Sequence, residues 1–186
     1  MHELLLSKKA SGSIGDKDGV PGVGSTWNPN WPGNLTTYSE GNLRVEIGGN
    51  HGTGSLNTIE SGQKRYFEVV VQSWTGRWGP IIGIIPPGGW YGTAGAINIW
   101  IREGTGITVF LGSGPEQAYG QPLTIGDVIG CQVDLINKLV AFYKNGVSLG
   151  ATPFTADLPV YHAAVHSAGA AYGVVAKANF GALPFM

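Results

Sequence analysis

The chain has 186 residues, 42% of them hydrophobic and only 12% charged, roughly half the usual charged share. Its net charge is −1 and it has no basic block, so it lacks the clustered Lys and Arg that nucleic-acid or anionic-membrane partners need. The single cysteine, Cys131, excludes an intrachain disulfide and a cysteine-rich zinc site, and no run approaches the roughly 18 apolar residues that span a bilayer, so no membrane insertion is expected.

Residues 1–10, "MHELLLSKKA", predict a short helix with Leu4, Leu5 and Leu6 as its apolar part. Alone it would be marginal in water. The basic pair follows the leucines rather than preceding them, which is not the pattern of a signal peptide, and synthesis as a soluble protein in a cytoplasm is expected. "SGSIGDKDGVPGVGS" then reads as a Gly-rich linker. Its Asp16 and Asp18 lack the further oxygen ligands and the terminal Glu of a calcium loop. Residues 1–25 are therefore read as an N-terminal segment with a linker, and residues 26–186 as one domain.

From Thr26 onward, short apolar runs alternate with turn signals. "NLRVEIG" places Leu43, Val45 and Ile47 on one face. "RYFEVVVQSW" sets Phe67, Val69 and Val71 against Tyr66, Glu68 and Val70. "GPIIGIIPP" is apolar on both faces and predicts a doubly buried strand. "AINIWI", "ITVFLG", "DVIGCQVDL", "LVAFYK", "VSLG", "VYHAAVH" and "GVVAKANFG" follow. Many short strands with Gly-rich turns predict an antiparallel sandwich or barrel. The 31 glycines fit that reading, since they punctuate the runs without a triplet period. Within Gly126–Gly150, Ile129, Cys131, Val133 and Leu135 share a face, and Asn145-Gly146 predicts a two-residue type I′ hairpin. Asp134 and Asn137 predict a second tight turn.

"GDVIGCQVDLINKLVAFYKNGVSLG" resembles the signature segment of SPRY domains. "SGQKRYFEVVV", followed by "IIGI", resembles an earlier strand of the same family, and the ending "NFGALPF" resembles its close. The resemblance implies an all-β fold, a bent two-layer antiparallel sandwich similar to concanavalin-like lectins and glucanases. It also implies a rim of loops that binds partner proteins. The opening "STWNPNWPGNLTTYSEGNLRV" resembles SPRY segments of bacteriophage and prophage proteins. That implies a virion protein, such as a tail-fibre, receptor-binding or decoration protein, anchored to other virion proteins through Leu4, Leu5 and Leu6. A homo-oligomer is compatible with this reading.

A catalytic set is not found. The sandwich glucanases use carboxylates paired across the scissile bond, whereas Glu68 has no second carboxylate within four positions. Cys131 lies in an apolar run, where thiols are inert. His162 and His166 fall on one strand face about 13 Å apart by strand rise, too far to share a metal. His51 stands by itself in a Gly-rich loop. No enzyme activity, metal or cofactor is expected.

The candidate contacts are aromatic: Trp74, Trp78, Trp90 and Tyr91 in "SWTGRWGP" and "PPGGWYGTAG", Arg77 between the first two, and Tyr119 in "EQAYGQP". Rigid rings in loops give large contact area at low entropic cost. They suit a protein partner or a host-surface receptor. As an alternative, Trp90 and Tyr91 would stack on a sugar, as in a lectin. Trp27 and Trp31 are expected to close one edge of the sandwich.

Overall fold

Wherever an apolar residue recurs at every second position, bounded by glycine or a short polar residue, the chain extends into a strand. A computed structural model describes residues 22–32, 35–76, 78–102, 106–111 and 117–181. Its strands in chain order are β1 Thr36–Ser39, β2 Arg44–Gly48, β3 Gly52–Gly54, β4 Ile59–Glu60, β5 Lys64–Thr75, β6 Trp78–Ile85 and β7 Ile97–Arg102. They continue as β8 Gly106–Leu111, β9 Gln117–Gly120, β10 Val128–Asp134, β11 Leu139–Lys144, β12 Val147–Pro153, β13 Val160–Ser167 and β14 Gly173–Asn179.

These strands form two antiparallel sheets. The first is ordered β1-β2-β14-β5-β10-β11-β12, and the second β3-β13-β6-β7-β8-β9, with β4 also paired to β13. Phe67, Val69 and Val71 of β5 and Ile129, Cys131 and Val133 of β10 face inward from the first sheet. They share one buried cluster with Ile82 and Ile84 of β6 and Ile97, Ile99 and Ile101 of β7. The fold is thus the expected two-layer antiparallel sandwich. Strand β6 is buried on both faces, as its composition requires. Ile82 and Ile84 enter the main core, and Ile85 joins Trp31, Ala96 and Ala164 in a smaller cluster on the outer side.

The β10–β11–β12 meander follows its turn residues. Asn145 and Gly146 take φ of 49° and 79°, the positive pair of a type I′ turn. Asp134 Oδ1 accepts the backbone N–H of Ile136 at 3.0 Å and of Asn137 at 2.8 Å, and Oδ2 accepts the Asn137 amide at 2.9 Å. Asp127 joins the other end of the meander. It accepts from Thr124 N at 2.7 Å and from Asn145 Nδ2 at 2.6 Å, and it pairs with Lys144 Nζ at 3.1 Å. Burial works against its charge, but these donors outweigh it and hold the carboxyl near 2. Cys131 is fully buried, and burial pushes its thiol well above the usual value, which suits core packing.

Trp27 lies deeper than the edge position expected of it. It is fully buried, its ring meets Phe180 edge-on at 4.9 Å, and its Nε1 donates to Leu43 O at 3.0 Å. The backbone N–H of Trp27 also donates to Asn42 O at 2.9 Å. The "TWNP…GNL" pattern therefore encodes a packed entry to the sandwich. Gly22 to Ser25, assigned by sequence to the linker, touch the sandwich as well. Gly22 bridges to Tyr66, Val23 is buried in the core, and Gly24 N donates to Phe180 O at 2.7 Å. Leu4, Leu5, Leu6, Asp16, Asp18 and Arg77 lie outside the described residues.

Candidate functional site

The site grows from the outer face of the second sheet. In β7 the isoleucines point inward, so Asn98 and Trp100 point outward. Pairing places His166, Ile81, Trp100 and Thr108 in one row across four strands. The segment joining β6 to β7 folds back over this face. Trp100 Nε1 donates to Asn98 Oδ1 at 2.7 Å, and Asn98 Nδ2 donates to the carbonyl of Tyr91 at 3.1 Å. The Tyr91 hydroxyl donates to Asn50 Oδ1 at 3.2 Å, from the turn between β2 and β3. Backbone and side chain of Tyr91 are thus tethered to different parts of the fold.

The rings form a connected series. Trp90 lies 4.7 Å from Tyr91, Tyr91 meets Trp100 edge-on at 5.1 Å, and Trp100 meets Trp78 edge-on at 6.3 Å. Between them lies an open cavity of about 330 Å³, lined by Asn50, Trp78, Tyr91, Trp100 and the turn Ala168–Gly169–Ala170. Among the described residues, no carboxylate, Lys or Arg lines it. Trp90 flanks the cavity and is 48% exposed. Burial raises the Tyr91 phenol above its usual value, so it stays a neutral donor at physiological pH.

His166 supports this wall from beneath. It is buried, its ring lies 5.8 Å from Tyr91, and its Nε2 has no hydrogen-bond partner among the described residues. The ring packs onto Gly52, where a Cβ would collide with it. Burial pulls its pKa down to about 3, so the imidazole is neutral. A folded pKa below the unfolded value of about 6.5 means that the unfolded chain binds the proton more readily. This contribution to stability is therefore intact above about pH 6.5 and is lost as pH falls from there towards 3. His166→Phe is expected to lose less Tm than the wild type between pH 7 and pH 4.5 by thermal melts. An equal loss in both proteins would show that His166 does not carry this dependence.

Of the residues singled out by sequence, the structure brings Trp78, Trp90 and Tyr91 together. Trp74 and Tyr119 are in strands rather than loops. Trp74 is half-buried in β5 and packs against the main core. Tyr119 is half-buried in β9, edge-on to Phe142, with its hydroxyl on Gly150 O. Sequence reasoning missed Trp100, Asn50 and the 168–170 turn. Trp100 carried a readable signal, being a large ring on the polar side of the alternating run Ile97–Ile99–Ile101. His162 and His166 face outward on β13, but each packs with a different ring, Trp31 and Tyr91 respectively. Among the described residues no group of three His, Cys, Asp or Glu side chains could hold a metal.

The structure is thus an antiparallel sandwich with an aromatic-walled cavity on the outer face of its second sheet. The SPRY domain model matches residues 64–182, and the chain belongs to that family of protein-interaction domains. It is 35% identical over 181 residues to Ran-binding protein 9 of Xenopus tropicalis, covering 87% of this chain and 31% of that protein. To Ran-binding protein 9 of Homo sapiens it is 46% identical over 77 residues, covering 41% of this chain and 10% of that protein. To the E3 ubiquitin-protein ligase RKP of Arabidopsis thaliana it is 42% identical over 74 residues, covering 37% of this chain and 6% of that protein. The chain thus spans about a third or less of the length of these curated relatives. Among solved structures, the SPRY domain of human HERC1 superposes with a TM-score of 0.67 at 16% identity, covering 85% of this chain and 99% of that one.

These relatives overturn the expectation of a bacteriophage virion protein. They are animal and plant proteins, and nothing in them points to a particle, a tail fibre or virion partners. The physical reason for the error lies in "TWNP…GNL". Its Trp27 and Leu43 meet in a core contact, so the pattern reports packing and says nothing of origin.

Proposed function

We propose that this SPRY domain is a non-enzymatic recognition module that seats a short peptide segment of a protein partner in the cavity between Tyr91, Trp100 and Trp78. The observation that carries the reading is the double tether of Tyr91 to Asn50 and Asn98. A ring already fixed in place loses little freedom on binding, so more of the contact energy becomes affinity. The Asn50 amide offers hydrogen bonds to a peptide backbone, while the rings supply apolar contact.

Selection from a displayed random-peptide library tests the reading. The wild-type domain should enrich sequences sharing a motif, and a folded Tyr91→Ala variant should not retain them. Failure to enrich a motif, or retention by Tyr91→Ala, would refute it. A second reading rests on Trp90, a half-exposed ring tilted against Tyr91 that offers a platform for a sugar. A glycan array comparing wild type with Trp90→Ala decides that one, and silence from both removes it.

A further inference from the structure

The cavity on the second sheet is biased in its hydrogen-bonding groups. Its two indoles, Trp78 and Trp100, can donate but cannot accept. Asn50 is exposed, and its Oδ1 accepts the Tyr91 hydroxyl at 3.2 Å, so the group it keeps for a ligand is the Nδ2 donor. In the 168–170 turn, the Gly169 carbonyl already accepts Tyr172 N at 3.1 Å, and Ala168 and Ala170 add only methyl groups. A ligand segment lodged here meets rings and a donor. A backbone N–H carried in with it would leave water without gaining a matched acceptor, which is costly. An ammonium or guanidinium is disfavoured as well. Aromatic faces attract cations, but the polar group beside them is a donor, and among the described residues no carboxylate lines the cavity to balance the charge. Tyr91 and Trp78 each stand nearly perpendicular to Trp100, at 82° and 85°. The rings therefore border the cavity in different planes, between which a small saturated ring can pack.

Resting on the peptide reading above, we infer that the residue this cavity takes is proline, in an extended segment whose preceding carbonyl accepts from Asn50 Nδ2. Proline has no backbone N–H to strand. Its ring packs on aromatic side chains, which is how proline-rich segments dock in aromatic-lined grooves. The polyproline conformation makes no internal hydrogen bonds, so its carbonyls stay open to the asparagine. That conformation is also largely set before binding, so little freedom is lost on docking. Asn50 is thereby a specificity-determining residue in two ways: one end of its amide holds Tyr91, and the other reads the carbonyl before the proline.

The peptide motif selected from the random library is the probe, made synthetically and titrated into the full chain by calorimetry. Its position most sensitive to alanine is expected to be a proline. Alanine there should weaken binding at least about tenfold, whereas N-methylalanine, which also lacks the N–H, should weaken it less than about fivefold. Asn50→Asp keeps an acceptor for the Tyr91 hydroxyl and removes the Nδ2 donor, so it should weaken the same peptide at least about tenfold, with circular dichroism to show that the fold is kept. Three results overturn the inference and leave the peptide reading standing. One is a motif lost in Tyr91→Ala whose most sensitive position is not proline, a Lys or Arg there included. Another is an equal loss with alanine and N-methylalanine, which shows that the missing N–H is not what the cavity selects. The last is binding by Asn50→Asp within about threefold of the wild type. Failure of the library to yield any motif overturns the peptide reading and this inference together.

Discussion

Gly83→Ala should cost about 3 kcal/mol or more of stability, the upper range for overpacking a filled interior. For a domain of this length that is a Tm loss of about 10 °C. Gly83 sits in β6 opposite Asn98 of β7. A Cβ built there would come within 2.5 Å of Asn98 Cα and closer still to the Ile97 carbonyl oxygen. Both are backbone atoms in a central pairing, so no side-chain rotation relieves the clash. Strand β7 itself must move, and it carries Asn98 and Trp100. The same substitution should therefore loosen the cavity wall as well as the sheet. Gly48→Ala is the control, since nothing lies within 4 Å of its added Cβ and its φ is not positive. It should change stability by less than about 0.5 kcal/mol. Denaturant unfolding of the three proteins measures both effects. A Gly83→Ala variant as stable as Gly48→Ala would show that β6 and β7 do not approach as closely as described.

Most of the fold is legible in the sequence because its signals are local. Asn145-Gly146 dictates a turn by backbone sterics alone, and the alternation in "RYFEVVV" assigns Phe67, Val69 and Val71 to the core without reference to any other segment. The site is less legible because its parts converge from distant stretches. Tyr91 stands out as a ring in a Gly-rich loop, but what makes it useful is Asn50, 41 positions earlier, and Asn98, which follows it on β7. No local pattern in "GGNHG" announces that an asparagine there will orient a tyrosine. The strand positions of Trp74 and Tyr119 were less legible for the converse reason. Glycines nearby suggested loops, while cross-strand pairing decided otherwise. Gln132 and Tyr143 were written in the sequence as part of the outward sides of β10 and β11, yet both are buried.

Trp100→Ala should weaken binding of a library-selected peptide by about a hundredfold, whereas Trp90→Ala should weaken it less than about fivefold. The contrast follows from position. Trp100 borders the cavity, touches both Tyr91 and Trp78, and donates to Asn98. Its removal deletes a ring from the centre of the contact and leaves Asn98 without the donor that orients its amide, so Tyr91 loses both a neighbour and part of its tether. Central aromatic anchors of this kind cost about 2–4 kcal/mol when truncated, and 2.7 kcal/mol is a hundredfold in affinity. Trp90 is half-exposed at the rim, and exposed rim residues contribute little of the binding energy. Titration calorimetry on both variants, with circular dichroism to show that each keeps its fold, separates the outcomes. Equal losses would move the contact to the rim and favour a stacking platform over a cavity. A Trp100→Ala variant that binds within a factor of three of the wild type would place recognition elsewhere on the sandwich.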